Sequence, residues 1–283
     1  MTATTTADLV TAARAAGHGV AAFNVITLEH AEAITAAAEA AGLPVILQIS
    51  QNAVAFHLGR PAPLLAAAVA LAAAAAVPVA VHLDHIQDED LLRAGVAAGG
   101  SSVMYDASAL PYEQNVRATA RVAAWAHSQG VWVEAELGAV GGKDGAHTPG
   151  VRTDPDQAAA FTAATGVDAL AVAVGSSHAM TLRTARLDHA LIARLRAAVA
   201  VPLVLHGSSG VPDDELRQAV AAGMVKINIG TALNVAFTSA VRGQLSDDPA
   251  VVDPRRYLRP ARDAMATTAR HLLQVVSCST SPA

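Results

Sequence analysis

Short runs of aliphatic and β-branched residues recur along the chain. Between them lie longer alanine-rich stretches in which charged residues return at helical spacing. The runs over 20–24, 45–50, 79–83, 102–105, 131–136, 169–174, 203–205 and 225–229 read as strands, each followed by a helical segment. Thr27 is placed to cap a helix over 28–41, with Gly42 just past its end. Asp88 opens a stretch that stops at Gly99-Gly100, and Pro111 opens one that ends at Gly130. Pro155 and Pro212 read as first-turn prolines, where the missing N–H would be unbonded anyway. Pro78 separates a helix over about 64–76 from the strand after it.

Eight such units in 283 residues predict an α/β chain folded as a single (β/α)8 TIM barrel over 1–283. Residues 6–16 predict an extra helix across the barrel floor. The glycine-rich stretch 138–153 reads as a lid loop at the catalytic face, and 250–283 as a C-terminal helical extension. A doubly wound sheet that binds a dinucleotide would need a glycine fingerprint after the first strand; Phe23-Asn24-Val25-Ile26-Thr27 has no glycine.

Composition narrows the class of partner. Hydrophobic residues make up 53% and charged ones 15%, which excludes a disordered chain. A net charge of −5 with no dense Lys/Arg run argues against nucleic acid. The stretch 61–81 carries no charge, but it is mostly alanine and Pro78 breaks it, so no membrane span is expected. The N-terminus lacks the basic and apolar regions of a signal peptide, and Cys278 is the one cysteine, so a reducing cytoplasm is the expected compartment.

Three strands end in histidine. Val79-Ala80-Val81-His82-Leu83 runs into Asp84-His85; the sixth strand leads to Gly175-Ser176-Ser177-His178; the seventh leads to His206-Gly207-Ser208-Ser209-Gly210. A single histidine at a strand end is ordinarily a structural hydrogen-bonder. Three at the same end of one parallel barrel converge, and three neutral imidazoles with an open fourth position make a catalytic zinc site. His85, His178 and His206 are therefore the expected ligands. His82 shares its strand face with Asp84 and reads as barrel filler, the alternative being a group that supports the metal ligands from behind. His18, His30, His57, His127, His189 and His271 fall on helices or distant loops, solvated or packed. Glu134 and Glu136 share a strand face. Two readings stay open for them: a salt bridge inside the barrel, or contact of Glu136 with the metal. Gly207-Ser208-Ser209-Gly210 and Asn228-Ile229-Gly230-Thr231 follow the last two strands, where barrels often hold a phosphate on backbone N–H groups and a helix N-terminus.

These residues together resemble a family. The runs Ala22-Phe23-Asn24, Pro44-Val45-Ile46-Leu47-Gln48-Ile49-Ser50, His82-Leu83-Asp84-His85, Val133-Glu134-Ala135-Glu136-Leu137-Gly138, Leu205-His206-Gly207-Ser208-Ser209-Gly210, Lys226-Ile227-Asn228-Ile229-Gly230-Thr231 and Asp253-Pro254-Arg255 are similar to those of class II, metal-dependent fructose-bisphosphate aldolases. The branch that includes tagatose-bisphosphate aldolases fits, and the resemblance covers nearly the whole chain. It implies reversible cleavage of a phosphorylated ketose into dihydroxyacetone phosphate and an aldehyde. It implies Asp84 as acid/base on the C4 oxygen and zinc on His85, His178 and His206. It also implies Gly207, Ser209, Asn228, Gly230 and Thr231 around the dihydroxyacetone phosphate half, and Asn24 and Ser50 on the substrate. Arg255 would reach the far phosphate from a neighbouring subunit, which goes with a homodimer or homotetramer.

The chain departs from the family pattern at three places. The lid run usually reads Gly-Gly-x-Glu-Asp and here is Gly141-Gly142-Lys143-Asp144-Gly145, so Asp144 becomes the expected lid carboxylate that handles the carbanion proton, with His147 next. Ala179 replaces the glycine that usually follows the second zinc histidine, beside the place for phosphate or a monovalent cation. Gly230 stands where another residue type is common and opens the question of which sugar is cleaved. A lysine Schiff base is the alternative chemistry, but neither lysine, Lys143 or Lys226, has the apolar setting that activates one. Zinc as Lewis acid is the better account. Two rivals remain: a barrel metallohydrolase, although 21–25 lacks a His-x-His pair, and a non-catalytic sugar-phosphate binder, suggested by the altered lid.

Overall fold

The structure is a computed structural model that describes residues 4–137 and 151–278. Eight parallel strands close into one barrel in chain order: β1 (Val20–Asn24), β2 (Val45–Ser50), β3 (Val79–Ile86), β4 (Ser102–Tyr105), β5 (Trp132–Leu137), β6 (Ala169–Val172), β7 (Leu203–Leu205) and β8 (Met224–Ile229). The expected strands are all present. β3 runs on past Leu83 to Ile86 and β6 stops short at Val172, which moves the chemistry-bearing residues of each relative to its end.

Around the barrel lie α1 (Thr6–Ala16), α2 (Leu28–Ala41), α3 (Gln51–Phe56), α4 (Pro61–Ala74), α5 (Glu89–Ala97), α6 (Tyr112–Ser128), α7 (Pro155–Thr165), α8 (His189–Ala198), α9 (Asp213–Ala222), α10 (Thr231–Asp247) and α11 (Arg255–Val276). Local chemistry sets their ends. Thr27 caps α2 in a box with His30, and Gly42 closes it at φ 63, a backbone shape open to glycine. The Asp88 carboxylate accepts from the N–H groups of Asp90 and Leu91. One expectation needs correcting, and one helix is additional to those expected. Pro212 stands immediately before α9, not in its first turn. The short helix α3, which the sequence pattern did not announce, starts because Ser50 Oγ accepts from Ala53 N at 3.2 Å. The expected C-terminal extension at 250–283 is represented by α11.

Side chains alternate in and out along the strands, and the registers bring polar positions to one face. Asn24 pairs with Gln48, Gln48 with His82, His82 with Ser102, Met104 with Glu134 and Val204 with Lys226. That inner face holds the chemistry; the outer face packs Phe23, Leu47, Leu83 and Val133 under the helices. Fully burying side chains of this kind is worth roughly 1.5–3 kcal/mol each. Gly95 lets α5 approach closely, since a Cβ there would come 2.5 Å from Leu83 Cδ1. The floor is closed by α1: Leu9 and Val10 pack with Val20, Ala22, Ile46, Ala80 and Val225, and Ser102 Oγ donates to Thr6 Oγ1 at 2.6 Å. Of the expected lid 138–153, residues 138–150, with Asp144 and His147, lie outside the described residues. Thr153 closes the far side of that loop, its Oγ1 donating to Leu137 O at 3.1 Å. No described helix is long and apolar enough to cross a membrane.

Candidate active site and metal centre

Neighbouring residues in a strand point to opposite faces, yet Asp84 and His85 both line one cavity at the C-terminal end of the barrel. The backbone makes the exception. His85 takes φ 51, and the β3–β4 register shifts between Leu83 and Ile86. A left-handed non-glycine residue inside a bulge is a strained arrangement, and here it turns a carboxylate and an imidazole into the same space. The cavity has a volume of about 510 Å³.

His85, His178 and His206 converge there. Their ring centroids lie 5.1 Å (His85–His178), 4.6 Å (His85–His206) and 5.7 Å (His178–His206) apart. One ligand nitrogen from each falls within 4.8 Å of the others. Two of the rings are oriented from behind by carboxylates. His85 Nδ1 lies 2.8 Å from Asp106 Oδ2, and His206 Nε2 lies 2.8 Å from Glu134 Oε1. Carboxylates accept, so each ring gives its N–H there, even though the Asn228 amide also abuts His206 Nε2 at 3.0 Å. That leaves His85 Nε2 and His206 Nδ1 as lone-pair nitrogens facing one another at 2.8 Å. Burial, followed by the charge of His85, presses the pKa of His206 well below the ordinary imidazole value, so a proton shared between the rings is disfavoured. Two lone pairs converging on buried rings, each backed by a carboxylate, suit a divalent cation. This donor set fits zinc.

Beside the rings, Asp84 Oδ2 accepts from Asn24 Nδ2 at 2.9 Å, and Asn24 Oδ1 accepts from Gln48 Nε2 at 3.0 Å. The second oxygen, Oδ1, is buried without a hydrogen-bond partner, an acceptor whose capacity is unused, and Asp84 lines the cavity. Burial pushes the Asp84 carboxyl up, but His85, His206, Lys226 and the Asn24 hydrogen bond outweigh it and hold it at about 2. It is an ionised acceptor at neutral pH.

The other wall carries a glycine turn and a helix N-terminus, groups of a kind that suit an anion. Gly207, at φ 66, opens a short 3-10 turn over Ser208–Gly210. Ser209 Oγ accepts from Ala232 N at 3.0 Å, tying that turn to the start of α10, where Gly230 and Thr231 also line the cavity. A helix N-terminus with its free N–H groups attracts negative charge. Gly230 has a further steric reason: a Cβ there would lie 2.7 Å from Asn24 Oδ1, the group that holds Asp84 through its amide. Ala179 lines the same wall in left-handed backbone at φ 59.

Of the expected residues, Asn24, Ser50, Asp84, His85, His178, Gly207, Ser209, Asn228, Gly230 and Thr231 line this one cavity, with His206 against them. Glu136 is buried just behind, grouped with His85 and Asp106 within 4.8 Å. Arg255 is elsewhere in this chain: its side chain is 84% exposed and pairs with Asp253 at 2.7 Å. His82 sits wholly inside the barrel on Ser102 Oγ at 2.7 Å, as filler. Of the two glutamates, Glu134 takes an internal salt bridge, 2.8 Å from Lys226 Nζ, while contact of Glu136 with the metal stays an expectation. Lys226 is correspondingly fully buried, which the sequence reading did not anticipate, but Glu134 and Asn228 Oδ1 at 2.8 Å hold it, so its setting is ionic, not apolar. Sequence reasoning missed Gln48 and Asp106. The available signal was a polar residue on the inner face of an aliphatic strand for the first, and a carboxylate directly after a strand for the second.

Comparison with known proteins agrees with the barrel fold and gives the family. The family model described as fructose-bisphosphate aldolase class-II matches residues 4–281. The fructose-bisphosphate aldolase of Geobacillus stearothermophilus is 41% identical over 254 residues, 89% of this chain and 88% of that protein. That of Thermus caldophilus is 39% identical, covering 95% of this chain and 96% of its own length. Among solved structures, the YdjI aldolase of Escherichia coli K12 superposes with a TM-score of 0.85 at 33% identity, over 96% of this chain and 97% of that one.

Proposed function

The chain belongs to the class-II fructose-bisphosphate aldolase family, which makes it a lyase of carbohydrate metabolism with a small sugar-phosphate substrate, and we propose that it is zinc-dependent and cleaves fructose 1,6-bisphosphate or a related ketose bisphosphate. The observation that carries this reading is the pair of lone-pair nitrogens on His85 and His206, facing each other at 2.8 Å beside the ionised Asp84.

His85, His178 and His206 would hold the ion, with Glu136 behind them and, in the simplest case, one zinc per chain. When bound, zinc supplies Lewis-acid polarisation of the ketone oxygens, the chemistry that makes a carbanion next to a carbonyl affordable. The rest falls to the chain. Gly207, Ser209, Asn228, Gly230 and Thr231 seat the phosphate of the dihydroxyacetone half. Asn24 fixes one Asp84 oxygen, leaving the other to take the C4-hydroxyl proton. As that proton leaves, the C3–C4 bond breaks, C4 becomes the aldehyde carbon and its electron pair stays on C3. Asp144 then delivers a proton to C3. Arg255, exposed in this chain, would serve the far phosphate of a neighbouring subunit in a homodimer or homotetramer. A monovalent cation beside Ala179 and a cytoplasmic location complete the proposal.

A screen of phosphorylated ketoses for release of dihydroxyacetone phosphate tests the reading. Fructose 1,6-bisphosphate or tagatose 1,6-bisphosphate is expected to be cleaved. Zinc-loaded protein that cleaves none of the ketoses tried would leave a sugar-phosphate binder instead.

Asp144→Ala is expected to slow proton exchange between dihydroxyacetone phosphate and solvent while the zinc stays bound. If exchange is unchanged, Asp144 only shapes a glycine turn and His147 becomes the next residue to test.

A further inference from the structure

His85 and His206 are fixed by strands, one inside β3 and the other directly after β7, but His178 is carried by irregular chain well past the end of β6. We infer that Arg183 is a positioning residue for the metal centre, locking the segment that carries His178 onto the connection that carries His206. This rests on the reading that the three histidines hold a divalent ion.

The lock is a single guanidinium joining three parts of the fold. Arg183 Nε and Nη2 donate to Val211 O at 2.9 and 2.6 Å. Its Nη2 also lies 2.5 Å from Asp213 Oδ1, in the first turn of α9. The other oxygen of Asp213 pairs with His271 Nε2 of α11 at 2.7 Å. Burial pushes the Asp213 carboxyl up, but Arg183 and His271 outweigh it and hold it below its usual value, so the latch is charged at neutral pH.

The surfaces drawn together are shaped to meet. A Cβ on Gly207 would fall 2.6 Å from the carbonyl carbon of Ser177, and one on Gly210 would fall 2.4 Å from Met180 Cβ. The residues before and shortly after His178 therefore rest on the glycines of the turn after β7. Ser176 Oγ donates to His206 O at 2.6 Å, and Ala185 N donates to Gly210 O at 2.9 Å. Arg183 lies between the contacts of Met180 and Ala185 and brings a charged, forked anchor that lysine cannot reproduce. Its side chain is 37% exposed, so the ion pair itself adds little to global stability. Its effect falls on where His178 stands.

The test is zinc affinity measured by competition with a chromophoric chelator. Arg183→Ala is expected to weaken binding by about ten- to a hundredfold, as is typical when a group that orients a ligand is lost. The melting temperature of the metal-free protein should move by only a few degrees. Arg217→Ala is the control, because its pair with Asp214 stays within α9; it should leave affinity unchanged. If Arg183→Ala does not fold, Arg183→Lys is measured in the same way and is expected to be weakened in the same direction. Wild-type affinity in the folded variant overturns the inference. So does an equal loss in Arg217→Ala, which would mark a general loosening of α9. If the wild-type protein binds no zinc at all, the reading of the metal centre fails first, and the two failures are told apart.

Discussion

Asp84→Ala is expected to slow carbon–carbon cleavage on the order of a hundredfold to ten-thousandfold, the usual cost of losing a general acid/base, with zinc still bound. The expectation follows from how the carboxylate is held. One oxygen is tied by Asn24 at 2.9 Å and the other, buried and without a hydrogen-bond partner, is assigned to the substrate hydroxyl. The ion is assigned to imidazoles, two of which have their own carboxylates behind them, Asp106 and Glu134, so removing Asp84 leaves both of those pairs intact. Cleavage rate and zinc content of the same preparation check both halves. A variant that loses its zinc would make Asp84 a ligand or the support of one.

His206→Ala is expected to do the opposite, emptying the centre and with it abolishing cleavage. This ring links the barrel interior to the metal: Nε2 rests on Glu134 at 2.8 Å, while Nδ1 faces His85. The loss of zinc affinity should exceed the ten- to hundredfold that follows from changing a residue behind a ligand. The barrel should survive, because Glu134 keeps its ion pair with Lys226 at 2.8 Å. Metal analysis after dialysis decides the point. One zinc per chain retained in His206→Ala would remove this residue from the ligand set.

Much of this was legible in the sequence, because the barrel repeats one simple pattern. Aliphatic runs, proline and glycine stops and capping residues each act locally, and eight repeats close in one way. Parallel strand ends bring the chain at His85, His178 and His206 to one end of the barrel, but they do not by themselves aim the three rings at one point. Other features depend on backbone geometry or on distant partners. Asp84 and His85 share a cavity only because His85 is left-handed inside a bulge, and nothing in the sequence His82-Leu83-Asp84-His85 announces that conformation. Asp106 matters because it meets His85 across two strands, and Gln48 because it meets Asn24. Lys226 lies inside the barrel, a place that local composition would not assign to an ammonium without knowledge of Glu134 opposite. Gly230, which the family pattern made an oddity, has a steric reason that appears only when Asn24 is placed against it.

The most direct measurement is a zinc titration of chelator-stripped protein, following release of dihydroxyacetone phosphate from the best ketose bisphosphate. The account predicts no cleavage at the start, a linear rise, and a break at about one zinc per chain, set by the single three-histidine centre. Full cleavage in stripped protein shown to contain no divalent metal would contradict it.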